Sequence, residues 1–220
     1  MSGLLAPGRG AASAPLISRR NWLMSASVLP GSLLISEQSW AGSQLEEPLA
    51  DSVRTALSSA ITNSAPPVPV FGSTETRLAY LRWLSSMSDR LYSRKKGFNE
   101  RIDFLQTVWY ESKRAGLETS LVLGLIQVES AFRKFAVSSV GARGYMQVMP
   151  FWTRVIGDGD PSKLFHMQTN LRFGCVILRH YLDREGGNEF MALGRYNGSR
   201  GKPPYPNAVF GAQKKWLFQG

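Results

Sequence analysis

Along most of this chain, apolar positions recur at helical rather than strand spacing. Tyr80, Leu84, Met87 and Leu91 follow i, i+4, i+7, i+11, one stripe of an amphipathic helix. Phe104, Leu105, Val108 and Trp109 mark a second helix between Asn99 and Ala115, and Gly116, tolerant of positive φ, suits its end. Thr119 or Ser120 can cap a third, from Leu121 to about Ser130. Asn170 can cap a fourth that turns Leu171, Gly174, Cys175, Leu178, Tyr181 and Leu182 inward. Gly186-Gly187 stops it, and Glu189 to about Tyr196 forms a fifth. Upstream, Leu49, Val53, Leu57 and Ile61 sit four apart and predict one short helix. The stretch 63–74 (NSAPPVPVFGST) reads as a Pro- and Ser-rich linker. Strand-like alternation is nearly absent and no internal repeat is visible. A mainly α domain with little or no strand is predicted, occupying 76–220 after a short helix and linker over 42–75.

The first 41 residues read differently. Ser18-Arg19-Arg20-Asn21-Trp22-Leu23 precedes a weakly apolar run from Leu23 to Ile35, broken by Pro30 and Gly31, and Ser39-Trp40-Ala41 follows. This is the basic, apolar, small-residue order of an export signal over 1–41. The run of 13 residues is too short to cross a hydrocarbon core roughly 30 Å thick. The Arg pair followed by an aromatic and Leu resembles a twin-arginine signal, but paired arginines also occur in ordinary signals, so the route stays open. Cleavage after Ala41 would leave 179 residues. No later segment reaches the ~18 continuous apolar residues of a membrane span. The mature protein is therefore expected to be soluble.

Composition narrows the chemistry. With 43% apolar and 19% charged residues, the chain is globular rather than disordered. Its single cysteine, Cys175, excludes a disulfide framework and a thiolate-rich zinc site. The same count leaves no N-terminal cysteine for a lipid anchor. Cys175 itself is expected to be a small core residue. His166 and His180, 14 positions apart, lack a partner cluster, and there is no calcium loop of EF-hand type. His166 is expected in a loop and His180 on a helix surface. No metal and no cofactor is predicted. The net charge of +10 suits an acidic partner: nucleic acid, anionic membrane or an acidic polymer.

One carboxylate stands out. Leu121-Val-Leu-Gly-Leu-Ile-Gln-Val128 is apolar on nearly every face, as in a helix covered on all sides. Glu129 follows at its C-terminal end, on the side of Val122, Leu125 and Ile126. Loss of water and the negative end of the helix dipole both favour the protonated form there. A general acid working near neutral pH needs that. Spacing alone equally allows a glutamate at a frayed end, turned to solvent or paired with Arg133.

Around it lie Glu129-Ser130-Ala131-Phe132, then Ala136-Val137-Ser138-Ser139-Val140-Gly141-Ala142-Arg143-Gly144-Tyr145-Met146-Gln147-Val148-Met149-Pro150. Asn170-Leu171-Arg172-Phe173-Gly174 and Arg195-Tyr196-Asn197-Gly198 come later. In order and spacing these resemble the catalytic domain of the soluble lytic transglycosylases, lysozyme-like enzymes (goose-type/SLT) that cut peptidoglycan. The resemblance covers about residues 100–210. It implies a lysozyme-like helical fold with Glu129 as the single catalytic acid/base. It places Ser138 near the acetamido group of the cleaved sugar, with Ser139 one position away. Gln147 and Met149 fall where family members line the cleft, and Tyr196 and Asn197 where a tyrosine and an asparagine approach the glutamate and substrate. Three departures are visible. Tyr145 replaces the usual Leu, which predicts a bulkier, more polar wall beside Met146. Phe132-Arg133-Lys134 lacks the usual Asn-Pro, and Arg195 replaces a small residue. The loop 198–207 (GSRGKPPYPN) either rims the substrate or crosses the surface.

Ordinary glycosidases use two carboxyl groups. The candidates for a second are Asp158 and Asp160, which read rather as solvated loop charges, and Glu111 on the preceding helix, which reads rather as a surface charge. A one-carboxylate site implies, by the resemblance, that the substrate's own C6 hydroxyl closes a 1,6-anhydromuramoyl end. Peptidoglycan glycan strands are then the expected partner, and the periplasm, without a lipid anchor, the expected place. The 22 cationic against 11 acidic residues of 76–220 suit the anionic wall polymer. Three competitors remain: a lysozyme-type hydrolase, a non-catalytic wall-binding or scaffold protein, and a nucleic-acid binder. The last lacks any recognised motif, and export would separate it from nucleic acid. Protein partners, and whether the occasion is division, wall turnover or insertion of a secretion machine, are not encoded in these motifs.

Overall fold

The computed structural model describes residues 44–62 and 69–219. Eight α-helices follow among them: α1 (Asp51–Thr62), α2 (Thr74–Leu91), α3 (Phe98–Arg114), α4 (Thr119–Ser130), α5 (Phe151–Ile156), α6 (Met167–Arg184), α7 (Glu189–Tyr196) and α8 (Pro204–Gln213). Turns of 3-10 helix occur at Pro161–Phe165 and Lys214–Trp216. No strand ladder forms among the described residues. Two isolated bridges, Val137 to Arg143 and Arg143 to Val148, fold the segment after α4 back on itself. The mainly α architecture predicted from periodicity is the one observed. The expected export signal over 1–41, and residues 63–68 of the expected linker, lie outside the described residues.

The core is arranged around α4, whose residues Leu121 to Ile126 are all buried. Its principal partner is α8, and Gly124 sets their separation. A Cβ at that position would lie 2.7 Å from the Gln213 backbone nitrogen and 3.0 Å from the Val209 carbonyl oxygen. The helices therefore touch backbone to backbone. On another side, α2 buries the predicted stripe of Tyr80, Leu84, Met87 and Leu91. Its first turn is closed by a reciprocal capping box between Ser73 and Thr76.

Helix α6 begins at Met167, earlier than the predicted cap at Asn170. The reason is that Asn170 directs its side chain outside the helix. Its Oδ1 accepts from the Met146 amide, and its Nδ2 donates to the Arg143 and Leu164 carbonyls. Glu111, expected at the surface, is instead 1% exposed and accepts two hydrogen bonds from Arg172 at 3.1 and 2.9 Å. This pair ties α3 to α6. Arg114 and Arg172 also donate to the carbonyls of Ala60 and Ile61, which satisfies the C-terminal end of α1 with cations. Leu57, Ala60 and Ile61 pack against the core from that helix. His180 is likewise buried rather than on the helix surface. Burial and the nearby Arg184 charge lower its pKa.

Candidate active site

Glu129 is the penultimate residue of α4 and only 2% exposed. Of the two arrangements that spacing allowed, the buried one is observed. Arg133 turns to the Ser130 carbonyl at 3.0 Å. The helix stops abruptly because Ala131 and Phe132 both take left-handed backbone, with φ of 49° and 67°. Such conformations cost about 1–2 kcal/mol per non-glycine residue, so the surroundings must hold them. The buried Phe132 ring does so, packed edge-on against Phe104 and Trp216. Ser130 contributes as well, donating to the Tyr145 carbonyl at 2.7 Å.

That bond joins α4 to the loop 136–149. Gly144 takes φ +75° where a Cβ would strike the Asn170 side chain at 2.4 Å, so the clamp by Asn170 requires glycine. Gln147, with φ 47° and 2% exposed, donates its side-chain amide to the carbonyls of Gly144 and Ala136. Ser138 Oγ accepts from the Ala142 amide at 3.0 Å and closes the turn 138–142, while Ser139 is exposed. Met149 is half-buried at the end of the loop. Tyr145 does not form an open wall. It is 1% exposed, packed on Phe104, with its hydroxyl bonded to the buried Lys95 at 2.9 Å. Burial pulls the Lys95 ammonium down, but the hydrogen bonds it donates to Glu100 and Tyr145 outweigh that and leave its pKa raised.

Two phenols share the field of Glu129. Tyr205 O–H donates to Glu129 Oε1 at 2.5 Å. Tyr196 O–H donates to the Met146 carbonyl at 2.7 Å. Both rings are fully buried. Burial first, and the Glu129 charge second, push both hydroxyls well above the ordinary tyrosine range. Both are therefore proton donors at any working pH. Asn197, half-buried at the end of α7, donates to Ser199 Oγ, and its Oδ1 has no hydrogen-bond partner among the described residues. Glu129, Gln147, Met149 and Tyr196 thus belong to one connected region through Met146 and loop 136–149. Ser138 closes a turn within that loop.

Tyr205 was not among the candidates. It lies in the Pro-rich stretch 198–207, whose composition predicts a loop but whose last residues form the first turn of α8. A lone tyrosine between prolines carries no periodic signal. The other acids are engaged elsewhere: Glu111 with Arg172 and Arg114, Asp158 with Lys163, and Asp160 with Ser162. Among the described residues no group of three or more His, Cys, Asp or Glu is placed to hold a metal ion. No described helix is long and apolar enough to cross a membrane.

The fold and site define a helical domain with a buried acid, Glu129, held at a helix end and met by a phenol. Residues 106–219 match the family model of the transglycosylase SLT domain. The chain belongs to that family, in agreement with the lysozyme-like helical class expected from its motifs. It is similar to membrane-bound lytic murein transglycosylase C of Actinobacillus pleuropneumoniae serotype 5b (strain L20). Identity there is 39% over 83 residues, 34% of this chain and 23% of that protein. The protein of the same name from Haemophilus ducreyi (strain 35000HP / ATCC 700724) is 49% identical over 92 residues, 36% of this chain and 25% of that one. The match thus spans about a quarter of those relatives' length. The X-ray structure of an inactive mutant of lytic transglycosylase Slt from Pseudomonas aeruginosa is 27% identical, covers 66% of this chain and 24% of that chain, and has a TM-score of 0.39.

Proposed function

We propose that this protein is a peptidoglycan lytic transglycosylase in which Glu129 is the single acid/base. The observation that carries this reading is Glu129 itself, buried at the end of an apolar helix with Tyr205 donating to its carboxylate. In the proposed reaction, protonated Glu129 gives its proton to the glycosidic oxygen between N-acetylmuramic acid and N-acetylglucosamine. That C–O bond breaks, and the N-acetyl group of the muramoyl residue stabilises the cationic centre at C1. Ionised Glu129 then takes the proton of the C6 hydroxyl as its oxygen bonds to C1. A 1,6-anhydro ring forms, the glutamic acid is regenerated and no water is consumed. Tyr205 fits a role in orienting the carboxylate, since a donor at Oε1 fixes which oxygen faces the substrate.

Of the expected substrate contacts, Ser138, Met149 and Asn197 are proposed to meet the glycan, whereas Gln147 and Tyr196 are buried with their donors on loop carbonyls. Asn197 Oδ1, a buried acceptor, suits a sugar hydroxyl or acetamido N–H. Gln147 and Tyr196 support the site by holding loop 136–149 in shape. The excess of cations over 76–220 suits an anionic wall polymer. We further propose export to the periplasm by the signal over 1–41, with residues 76–220 as the catalytic domain. The relatives are named membrane-bound lytic murein transglycosylases. The test is clearing of purified sacculi by the wild type and by Glu129→Gln. Turbidity loss by the wild type alone supports the assignment, and equal clearing by the variant removes Glu129 from it.

A further inference from the structure

The segment before α1 runs to the candidate site. Gln44 is 4% exposed, and its Oε1 accepts from the Met149 backbone amide at 3.3 Å. Its Nε2 is buried and closes no hydrogen bond among the described residues. Three residues on, Glu47 accepts from Arg195 at 2.8 Å and pairs with Arg184. Arg195 continues to Glu185 at 2.7 Å, and Glu185 binds Arg200 through two hydrogen bonds of 2.8 and 2.9 Å. The chain Glu47–Arg195–Glu185–Arg200 is thus continuous from the segment at 44–47, past the residue that precedes Tyr196, to the turn that leads into Tyr205. Glu185 and Arg195 are 7% and 18% exposed in their side chains. Pairs so shielded are screened less than surface pairs. This network also accounts for Arg195, which departs from the small residue expected there.

We propose that residues 44–47 are a positioning strap for the candidate active site, with Gln44 seating Met149 and Glu47 anchoring the strap to Arg195, the residue before Tyr196. The inference rests on the transglycosylase reading for its kinetic arm only. Gln44 touches no reacting atom in this scheme and acts through Met149, so it is a positioning residue. Misplacement of groups around a reacting centre lowers turnover more than binding.

The experiment compares the full chain with Gln44→Ala, Glu47→Gln and, as a packing control on the neighbouring helix, Leu57→Ala. Turnover on purified peptidoglycan, melting temperature and amide hydrogen exchange of the peptide containing Met149 are read for each. The expected result is a kcat about tenfold lower for Gln44→Ala and severalfold lower for Glu47→Gln, with KM within about twofold. Leu57→Ala lowers the melting temperature while kcat holds. Met149 exchange accelerates in both strap variants and not in the control. A Gln44→Ala enzyme with wild-type kcat overturns the proposal, as does a kcat loss that Leu57→Ala matches. Should the wild type itself release no product, the functional reading fails and exchange alone decides: unchanged Met149 protection in Gln44→Ala overturns the strap, and its loss upholds it.

Discussion

Replacing Gly124 with alanine tests the link between packing and chemistry at one atom. The new Cβ would meet the Gln213 nitrogen at 2.7 Å, the Gln213 Cα at 2.9 Å and the Val209 carbonyl oxygen at 3.0 Å. All three are backbone atoms, so no side chain can rotate away. Ordinary contact begins at 3.4 Å, so α8 must retreat by about 0.7 Å. Helix propensity favours Ala by about 1 kcal/mol, while overpacking costs about 1–3 kcal/mol. A net loss of up to about 2 kcal/mol lowers the melting temperature by up to about 8 °C in a domain of this size. The catalytic consequence is larger. Helix α8 carries Tyr205, and a retreat of that size stretches its 2.5 Å bond to Glu129 beyond 3 Å. A hydrogen bond to a charged group contributes about 1.5–3 kcal/mol, so turnover should fall about 10- to 100-fold. Circular dichroism melting and release of soluble muropeptides measure the two effects. A variant that melts higher, through an unopposed propensity gain, and keeps its turnover would refute the reasoning.

Three other perturbations follow from the same contacts. Tyr205→Phe removes the donor at Glu129 Oε1 without moving α8; turnover should drop by a similar factor, with the pH–rate profile displaced to higher pH because the ionised carboxylate loses a stabilising partner. Ala131→Gly relieves a left-handed φ of 49° at the end of α4 and should raise the melting temperature by about 2–4 °C for about 1 kcal/mol of strain. Glu185 is held down to about 2 from 4.5 by the Arg200 hydrogen bonds, against burial and with help from Arg195. A depressed carboxyl stabilises the fold above its unfolded value and loses that contribution as pH falls toward the folded one. Urea midpoints should therefore decline between about pH 4.5 and 2, and Glu185→Gln should flatten that decline.

Helices with one apolar face were legible in the sequence because burial there is periodic: the Tyr80–Leu91 stripe and the turn at Gly116 appear as read. Glu129 was legible for a different reason, as a charge at the end of a segment with no polar face. Asn170 was misread as a cap because its type suits a helix start, whereas its side chain is used across the chain on Arg143, Leu164 and Met146. Glu111 and His180 went astray similarly, since polar residues on a helix carry no mark of which face tertiary packing will cover. Tyr205 and Gln44 reach the site only through long-range folding, separated from Glu129 and Met149 by 76 and 105 positions. Contacts at such separations leave no local pattern.

Mass spectrometry of the muropeptides released from purified peptidoglycan, with Glu129→Gln alongside, tests the central claim most directly. The account predicts 1,6-anhydromuramoyl ends, one water lighter than hydrolysed ends, from the wild type and none from the variant. Reducing ends from the wild type would contradict it, because water would then be the nucleophile and a second carboxylate would be needed to activate it.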